Sequence, residues 1–392
     1  MVEWKKLGEI MQIVRGASPR PIKNFITTDE DGVNWIKIGD VSPFDKYITK
    51  TNEKITKEGA AKSRLLHVGD FILSNSMSFG RPYILKTDGC IHDGWIAMSG
   101  FEKIITSGYL YEILNSVLVQ KYWRTKANNG GAMTNLNSDI VRDTVIPIPS
   151  LSEQNRIVGI LDTFTASIDN LKQQIEQRRK QYEYYRDQLL DLEGKEGVEM
   201  KKIGELFIFK NGLNKEKKYF GQGNPIVNYT DVYHNKRITK NLLAGRVTLS
   251  NNEIERFRVH RGDVFFTRTS ETKEEVGFAA VMLEEVDDCT FSGFLLRARP
   301  ITSLLLPEYC AYCFGSNNVR QDIIKYSTLT TRALTNGPSM SKIAIPVPSL
   351  SEQQRIVSIL DSFEASIANL EQQLAQRQKQ YEYYRNKLLT FE

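Results

Sequence analysis

A 44-residue stretch from Pro147 to Leu190 recurs without a gap from Pro346 to Leu389, with about 32 of the 44 positions identical. PIPSLSEQNRIVGILDTFTASIDNLKQQIEQRRKQYEYYRDQLL is answered by PVPSLSEQQRIVSILDSFEASIANLEQQLAQRQKQYEYYRNKLL. Two weaker echoes precede each copy. KKLGEI at Lys5–Ile10 matches KKIGEL at Lys201–Leu206, and HVGDFILS at His67–Ser74 matches HRGDVFFT at His260–Thr267. The chain is therefore two half-chains, each a variable block closed by a near-invariant segment.

Each repeated segment reads as one long helix. The Pro-x-Pro-Ser-Leu-Ser entry stops the preceding strand and offers a cap. Ser351 with Gln354 forms a capping-box pattern, and Ser150 with Glu153 another. Acidic residues follow in the first turn, where the helix dipole favours them. Apolar residues then recur in steps of four and three: Ile157, Leu161, Phe164, Ile168, Leu171, Ile175, Tyr182, Tyr185, Leu189 and Leu192. The second copy repeats them as Ile356, Leu360, Phe363, Ile367, Leu370, Leu374, Tyr381, Tyr384, Leu388 and Phe391. That period of about 3.5 residues defines a coiled-coil seam. Arg178 and Arg377 interrupt it at equivalent places. About 40 residues at 1.5 Å each make a rod of roughly 60 Å. A lone helix cannot bury such a seam, whereas two copies can bury theirs against each other. An antiparallel pair related by a pseudo-two-fold axis is expected. Two helices that each pack on their own block are the alternative, and a sustained heptad favours the pair.

Matching of the outer face is not required by the seam, yet it occurs. Asn170, Gln173, Gln177 and Tyr184 reappear as Asn369, Gln372, Gln376 and Tyr383. A partner docked identically at each copy explains this, because exposed aromatics on a rod mark docking surfaces. Recent duplication of the segment explains it as well.

Composition adds modest constraints. Hydrophobic residues make up 41% and charged residues 25%, as in a soluble globular protein of two domains plus connectors. The net charge of +5 is unevenly spread. Residues 1–146 hold 19 basic and 16 acidic side chains, and residues 200–345 hold 21 and 15, so the positive excess lies in the two blocks. Two nucleic-acid-facing domains fit that distribution; a chance imbalance is the alternative. The N-terminus MVEWKKLGEIMQIVRG lacks a signal-peptide core, and no apolar run is long enough to span a bilayer. Four cysteines form no disulfide framework. A cytoplasmic protein, away from membranes, is expected.

The blocks read as mixed strand and helix. WIKIGDVS (Trp35–Ser42), GDFILSNS (Gly69–Ser76), RPYILK and WIAMSGFEKII are strand-like, followed by one helical stretch at Gly108–Ala127. PIVNYTDV, GDVFFTRTS, GFAAVMLE and CTFSGFLLRARP keep the same order in the second block, with the matching helix at Leu306–Tyr326. The polar loops are the candidate interface. Ser74, Asn75, Ser76, Ser78 and Arg81 lie at one strand end, and Thr267, Arg268, Thr269 and Ser270 at the other. Asn128, Asn129, Thr134 and Asn135 recur in kind as Thr330, Thr331 and Arg332. These side-chain types hydrogen-bond base edges and phosphates. Arg15, Arg20, Lys23, Lys210, Lys215, Lys217 and Lys218 in the early loops are candidate phosphate contacts. Any one of them alone reads more readily as a solvated loop residue; recurrence at matching places in both blocks favours DNA.

Two variable blocks, each closed by an I-P-x-P-S-L-S-E-Q-x-x-I segment and a long Tyr-rich helix, resemble the specificity subunits of Type I restriction-modification systems. The resemblance covers the whole chain, and the duplicated PxPSLSEQxRIVxILD motif is its most specific part. It implies an α+β protein with target recognition domains at 1–149 and 196–347, and spacer and docking helices at 150–195 and 348–392. Each recognition domain would read one half of a bipartite, asymmetric double-stranded DNA site, with the helices fixing the gap. Two adenine-methylating M subunits and two ATP-dependent R subunits would dock on it. S-adenosylmethionine, ATP and Mg2+ would belong to those partners and none to this chain.

Catalytic motifs do not appear. Cys310-x-x-Cys313 has no second pair for zinc. FGQG at Phe220–Gly223 is too short for a dinucleotide loop, and GxxxxGK[ST] and HExxH are missing. His67 and His260 precede matching Gly-Asp turns and read as structural. Rival readings are a coiled-coil scaffold assembling enzymes without DNA readout, and a complete nuclease or methyltransferase.

Overall fold

The computed structural model describes residues 2–42, 45–75, 79–127 and 135–391. The chain divides into two compact units, residues 1–172 with 372–392, and residues 173–371.

In the first unit, Glu3–Lys6 pairs antiparallel with Val145–Ile148, so the two lysines of the KKLGEI echo sit in one ribbon with the Ile-Pro-x-Pro entry, and the rest of the echo forms the short helix Leu7–Ile10. The central sheet has the order Gln12–Arg15, Trp95–Ser99, Phe71–Ser74, Pro82–Leu85 and Tyr47–Ile48, antiparallel except for the last, parallel pair. Its three inner strands are buried on both faces, and helices Ser107–Leu114 and Val117–Ala127 supply part of the cover. A smaller sheet carries Ile26–Thr27, Glu53–Ile55, Val33–Ile36, Gly89–Ile91 and Arg64–Leu66. The core joins Phe71, Phe101, Tyr109 and Trp123 to Ile157, Leu161 and Leu389 of the long helical segments.

The second unit repeats this plan. Glu199–Lys202 pairs with Ala344–Val347. The central sheet runs Phe207–Asn211, Leu295–Pro300, Val264–Thr267, Ala279–Met282 and Arg237–Ile238, again with only the last pair parallel. The smaller sheet is reduced to Arg246–Val247, Phe220–Val227 and Thr290–Phe291. Thus the blocks share their central frame and differ in the added layer.

Each helical stretch expected after the sheet is broken in two. Ser107–Leu114 restarts as Val117–Ala127, and Pro307–Cys313 as Asn317–Tyr326. Ser116 makes the break: its hydroxyl donates to the Ile113 carbonyl (2.7 Å) and accepts from the Val119 amide (3.4 Å), ending one helix and starting the next. The Gly-Asp turns before the central strand also match. The His67 and His260 amides donate to Asp70 (2.8 Å) and Asp263 (2.9 Å), and the intervening Gly69 and Gly262 have φ of +100° and +90°, which only glycine adopts cheaply.

The repeated segments form helices Leu151–Leu190 and Leu350–Leu388. Ser150 Oγ accepts from the Glu153 amide (3.3 Å), as expected. In the second copy the cap is Ser349, which accepts from the Glu352 amide (3.2 Å). This corrects the Ser351–Gln354 assignment: Ser349 is the counterpart of Ser150, and Ser351 already lies inside the first turn.

The two helices pack together antiparallel. In the first unit Phe164 stacks on Tyr384 with ring centroids 5.3 Å apart, and Arg377 lies 5.7 Å from the Phe164 ring. The second unit mirrors this with Tyr185 on Phe363 (5.5 Å) and Arg178 5.7 Å from Phe363. Tyr182 meets Glu364 there, and Arg179 meets Glu371, which fixes the antiparallel sense. The arginines that interrupt the heptad are therefore cations over the facing phenylalanine.

A buried glutamine joins each block to its helix. Gln154 is fully buried; its Oε1 accepts from the Thr106 amide (2.8 Å), and its Nε2 donates to the Ile104 (3.1 Å) and Pro149 (3.0 Å) carbonyls. Gln353 repeats all three bonds with Leu306 (2.8 Å), Leu304 (2.7 Å) and Pro348 (2.9 Å). Tyr109 and Tyr309 add a second matched tie, donating to the Pro147 and Pro346 carbonyls. Among the described residues no helix is long and apolar enough to cross a membrane.

Candidate nucleic-acid interface

In each unit the central strand of the sheet ends in a residue that ties two other segments to it. In the first unit it is Asn75. Its amide donates to the Gly94 carbonyl (3.1 Å), its side chain donates to the Asp93 carbonyl (3.1 Å), and its own carbonyl accepts from the Leu136 amide (2.8 Å). Arg268 does the same in the second unit. Its amide donates to the Phe294 carbonyl (3.1 Å), its Nη1 to the Gly293 carbonyl (2.9 Å), and its carbonyl accepts from the Thr335 amide (2.9 Å). The turn at 92–94 or 292–294 and the residue at 136 or 335 on the way to the closing ribbon are both tied to this hub.

The early loops join from the other side. Arg15 Nε donates to the Asp93 carbonyl (2.9 Å). Ser18 Oγ donates to the Asp93 carboxylate (2.9 Å), and Arg20 approaches it at 3.4 Å. The Ser18 hydrogen bond holds the Asp93 carboxyl below its ordinary range. Arg20 stays exposed, with 83% of its side chain accessible, and Lys23 is exposed in the short helix Ile22–Asn24. Asn135 is also exposed and Arg81 partly so. Ser76, Ser78, Asn128, Asn129 and Thr134 lie outside the described residues.

In the second unit, Thr269–Ser270 pairs with Ala333–Leu334, which pairs in turn with Thr328–Leu329. Thr330, Thr331 and Arg332 form the exposed tip of that small sheet, next in register beyond the Ser270–Ala333 pair, while Thr335 at its other end bonds Arg268. Lys217 and Lys218 are exposed in the early loop.

Several candidates from the sequence occupy other roles. Ser74, Thr267 and Ser270 are buried, so their hydroxyls do not face a ligand. Thr267 Oγ accepts from the Phe278 amide (3.0 Å), and Ser270 Oγ donates to Glu275 (3.2 Å). Lys215 is largely covered and paired with Glu253 at 2.7 Å, and this lysine pulls the Glu253 carboxyl down to about 2. Lys210 donates to the Arg256 carbonyl and covers the Phe257 ring. Asp93 and the 292–294 turn were not singled out from the sequence. The signal available was a glycine turn, HDG and SGF, at matching distance before the strand after it.

On the long helices, Asn170, Gln372, Gln376 and Tyr383 of the first unit and Gln173, Gln177, Tyr184 and Asn369 of the second are all exposed. Tyr184 and Tyr383 are 59% and 60% accessible, each edge-on to the neighbouring Tyr185 or Tyr384. Cys289 and Cys313 are buried and their thiols pushed up to about 12 by desolvation. No cluster of three metal-ligating side chains occurs among the described residues.

Two α/β units, each with polar loops gathered on a hub of its own and each packed on the paired helices, have the form of a recognition protein. The sequence matches the model of the Type I restriction modification DNA specificity domain twice, over residues 1–178 and 195–377, and the chain belongs to that family. Its part in such a system is DNA specificity, not catalysis. It is similar to the EcoR124I/EcoR124II specificity subunit of Escherichia coli, 28% identical over 409 residues that cover 92% of this chain and 94% of that one. It is also similar to the EcoKI specificity subunit of Escherichia coli K12, 26% identical over 296 residues, covering 70% of this chain and 62% of the relative. The HsdS subunit from Thermoanaerobacter tengcongensis shares the fold with a TM-score of 0.58 at 18% identity, covering 99% of this chain and 96% of its own. A chain from a structure of type I R-M complex assembly does so with 0.70 at 17% identity and the same coverage.

Proposed function

We propose that this chain reads a bipartite, asymmetric site on double-stranded DNA, one half per unit, and carries enzyme subunits to it. The observation that supports this best is the hub built twice on one backbone plan with different side chains, Asn75 in one unit and Arg268 in the other. A shared plan suits two readers of one duplex, and unlike side chains suit two unlike half-sites. The exposed loop cations Arg20, Lys23, Lys217, Lys218 and Arg332 supply phosphate contacts. The matched outer faces of the long helices, Tyr184 and Tyr383 foremost, dock two adenine-methylating M subunits. Two restriction subunits then complete a cytoplasmic complex, and S-adenosylmethionine, ATP and Mg2+ are bound by those partners.

The reading is tested by selecting duplexes from a random pool with the full chain, alone and with its methylating subunit. The expected product is a split motif with a fixed gap, bound with an affinity that falls steeply as salt rises. Exchange of residues 1–146 for those of a relative changes one half of the motif only. A complex that assembles but enriches no sequence identifies a scaffold instead.

A further inference from the structure

The turns held by the two hubs are alike in backbone and opposite in what they present. The second unit's turn, Ser292–Leu295, is bonded at nearly every backbone group. The Gly293 amide donates to the Leu213 carbonyl (2.7 Å), and its carbonyl accepts from Arg268. The Phe294 amide donates to Ser292 Oγ (3.4 Å), its carbonyl accepts from the Arg268 amide, and the Leu295 amide closes onto the Ser292 carbonyl (2.9 Å). A Cβ at Gly293 would lie 1.9 Å from Asn214 Oδ1 and 2.9 Å from the Leu213 carbonyl oxygen, so the early loop is pressed against the turn. On this fixed pedestal stands Phe294, 66% exposed, more than any other large apolar side chain among the described residues.

A single exposed ring is ordinary on a protein surface. This one differs in being held rigidly at the hub, beside Arg268, where the first unit has Gly94 and turns the Asp93 carboxylate toward Ser18 and Arg20. One unit thus presents a polar, charged edge and the other a bare aromatic ring at the same place. A rigid ring loses little entropy on binding and gains by covering apolar surface. On duplex DNA the apolar feature of a base edge that distinguishes sequence is the thymine methyl group in the major groove.

We propose that Phe294 is a specificity-determining residue that packs on the C5-methyl of a thymine in the half-site read by the second unit. The proposal rests on the DNA-reading function above. The test pairs F294A with replacement of thymine by deoxyuridine, one position at a time, in the duplex selected by the wild-type complex. Wild type loses about fourfold in affinity at one position of one half-site when the methyl is removed, the worth of one buried methyl group. F294A binds the thymine duplex about as weakly as wild type binds the uracil duplex, and loses nothing further on the uracil duplex. F294L, which keeps apolar bulk, restores most of the discrimination. The ring is two-thirds exposed, so the thermal midpoint of F294A stays at that of wild type. A split motif unchanged between wild type and F294A, or a loss in F294A that is the same with thymine and uracil, overturns the thymine contact while leaving DNA reading intact. Failure of the wild-type complex to select any sequence defeats the underlying function instead.

Discussion

Replacing Gln154 by alanine removes the three hydrogen bonds made by a fully buried side chain. The Thr106 amide and the Ile104 and Pro149 carbonyls then lose their partner together. Each intramolecular bond contributes about 1 kcal/mol net, and each buried group left unpaired costs about 1–3 kcal/mol. Three such groups span about 3–9 kcal/mol, and the part-buried positions of Thr106 and Ile104 place the loss in the lower half, about 3–5 kcal/mol. The same change at Gln353 costs the same, because its three bonds are equally short. Gln154→Glu is no better. A carboxylate accepts from Thr106 but offers no donor to two carbonyls, so its loss deepens as pH rises and the group ionises. Urea unfolding followed by fluorescence, with hydrogen exchange at the Thr106 amide, reads both magnitude and place. The expected result is a midpoint lowered by about 1 M or more for the transition of the affected unit, and rapid exchange of that amide. A Q154A variant within about 0.5 kcal/mol of wild type would refute the idea that this glutamine fastens block to helix.

Burial raises the Glu112 carboxyl above its ordinary range, opposed by the hydrogen bond from Tyr381 (2.7 Å) and by the Arg385 and Lys46 charges; Asp162 adds to the rise. The folded chain therefore holds this proton more tightly than the unfolded chain. Its contribution to stability is full below the ordinary carboxyl range and is lost as pH rises through the raised value. Glu112→Gln keeps an acceptor for Tyr381 without the charge, so its thermal midpoint should match wild type in acid and exceed it at neutral pH; a lower midpoint at neutral pH would count against this. For the helix faces, Tyr184→Ala or Tyr383→Ala alone should leave one M subunit per chain, and the double variant none. Each loss corresponds to roughly 30-fold in affinity. Native mass measurement reads the stoichiometry, and two subunits retained on the double variant would remove the tyrosines from the docking surface.

The sequence carried the architecture through its repeat, because a duplicated heptad leaves few ways to bury two seams. The KKLGEI and Gly-Asp echoes placed the matching strands of each sheet for the same reason: local motifs recur where local structure recurs. What local pattern does not encode is a partner distant in sequence. Arg178 and Arg377 read as interruptions of an apolar stripe, since their ring partners Phe363 and Phe164 belong to the other helix. Lys215 read as a free phosphate contact, although its carboxylate partner Glu253 stands 38 residues away. The hub residues Asn75 and Arg268 were visible as polar ends of a strand. The turns they grip were not, because a glycine turn shows its shape in sequence but not its neighbour. The same gap hid Phe294, which reads as one more apolar residue of a strand and stands exposed just before that strand begins.

In the function proposed above, the long helices keep two unlike readers at a set separation. Deleting one heptad from both helices, at equivalent positions, shortens a rod by about 10 Å, or about three base pairs of duplex. Genome-wide mapping of methylated adenines in cells carrying this variant and its M subunit should show the same two half-sites with the gap reduced by about three base pairs, or no methylation if the rotational phase is lost. Methylation at the original spacing, with both half-sites unchanged, would contradict the account.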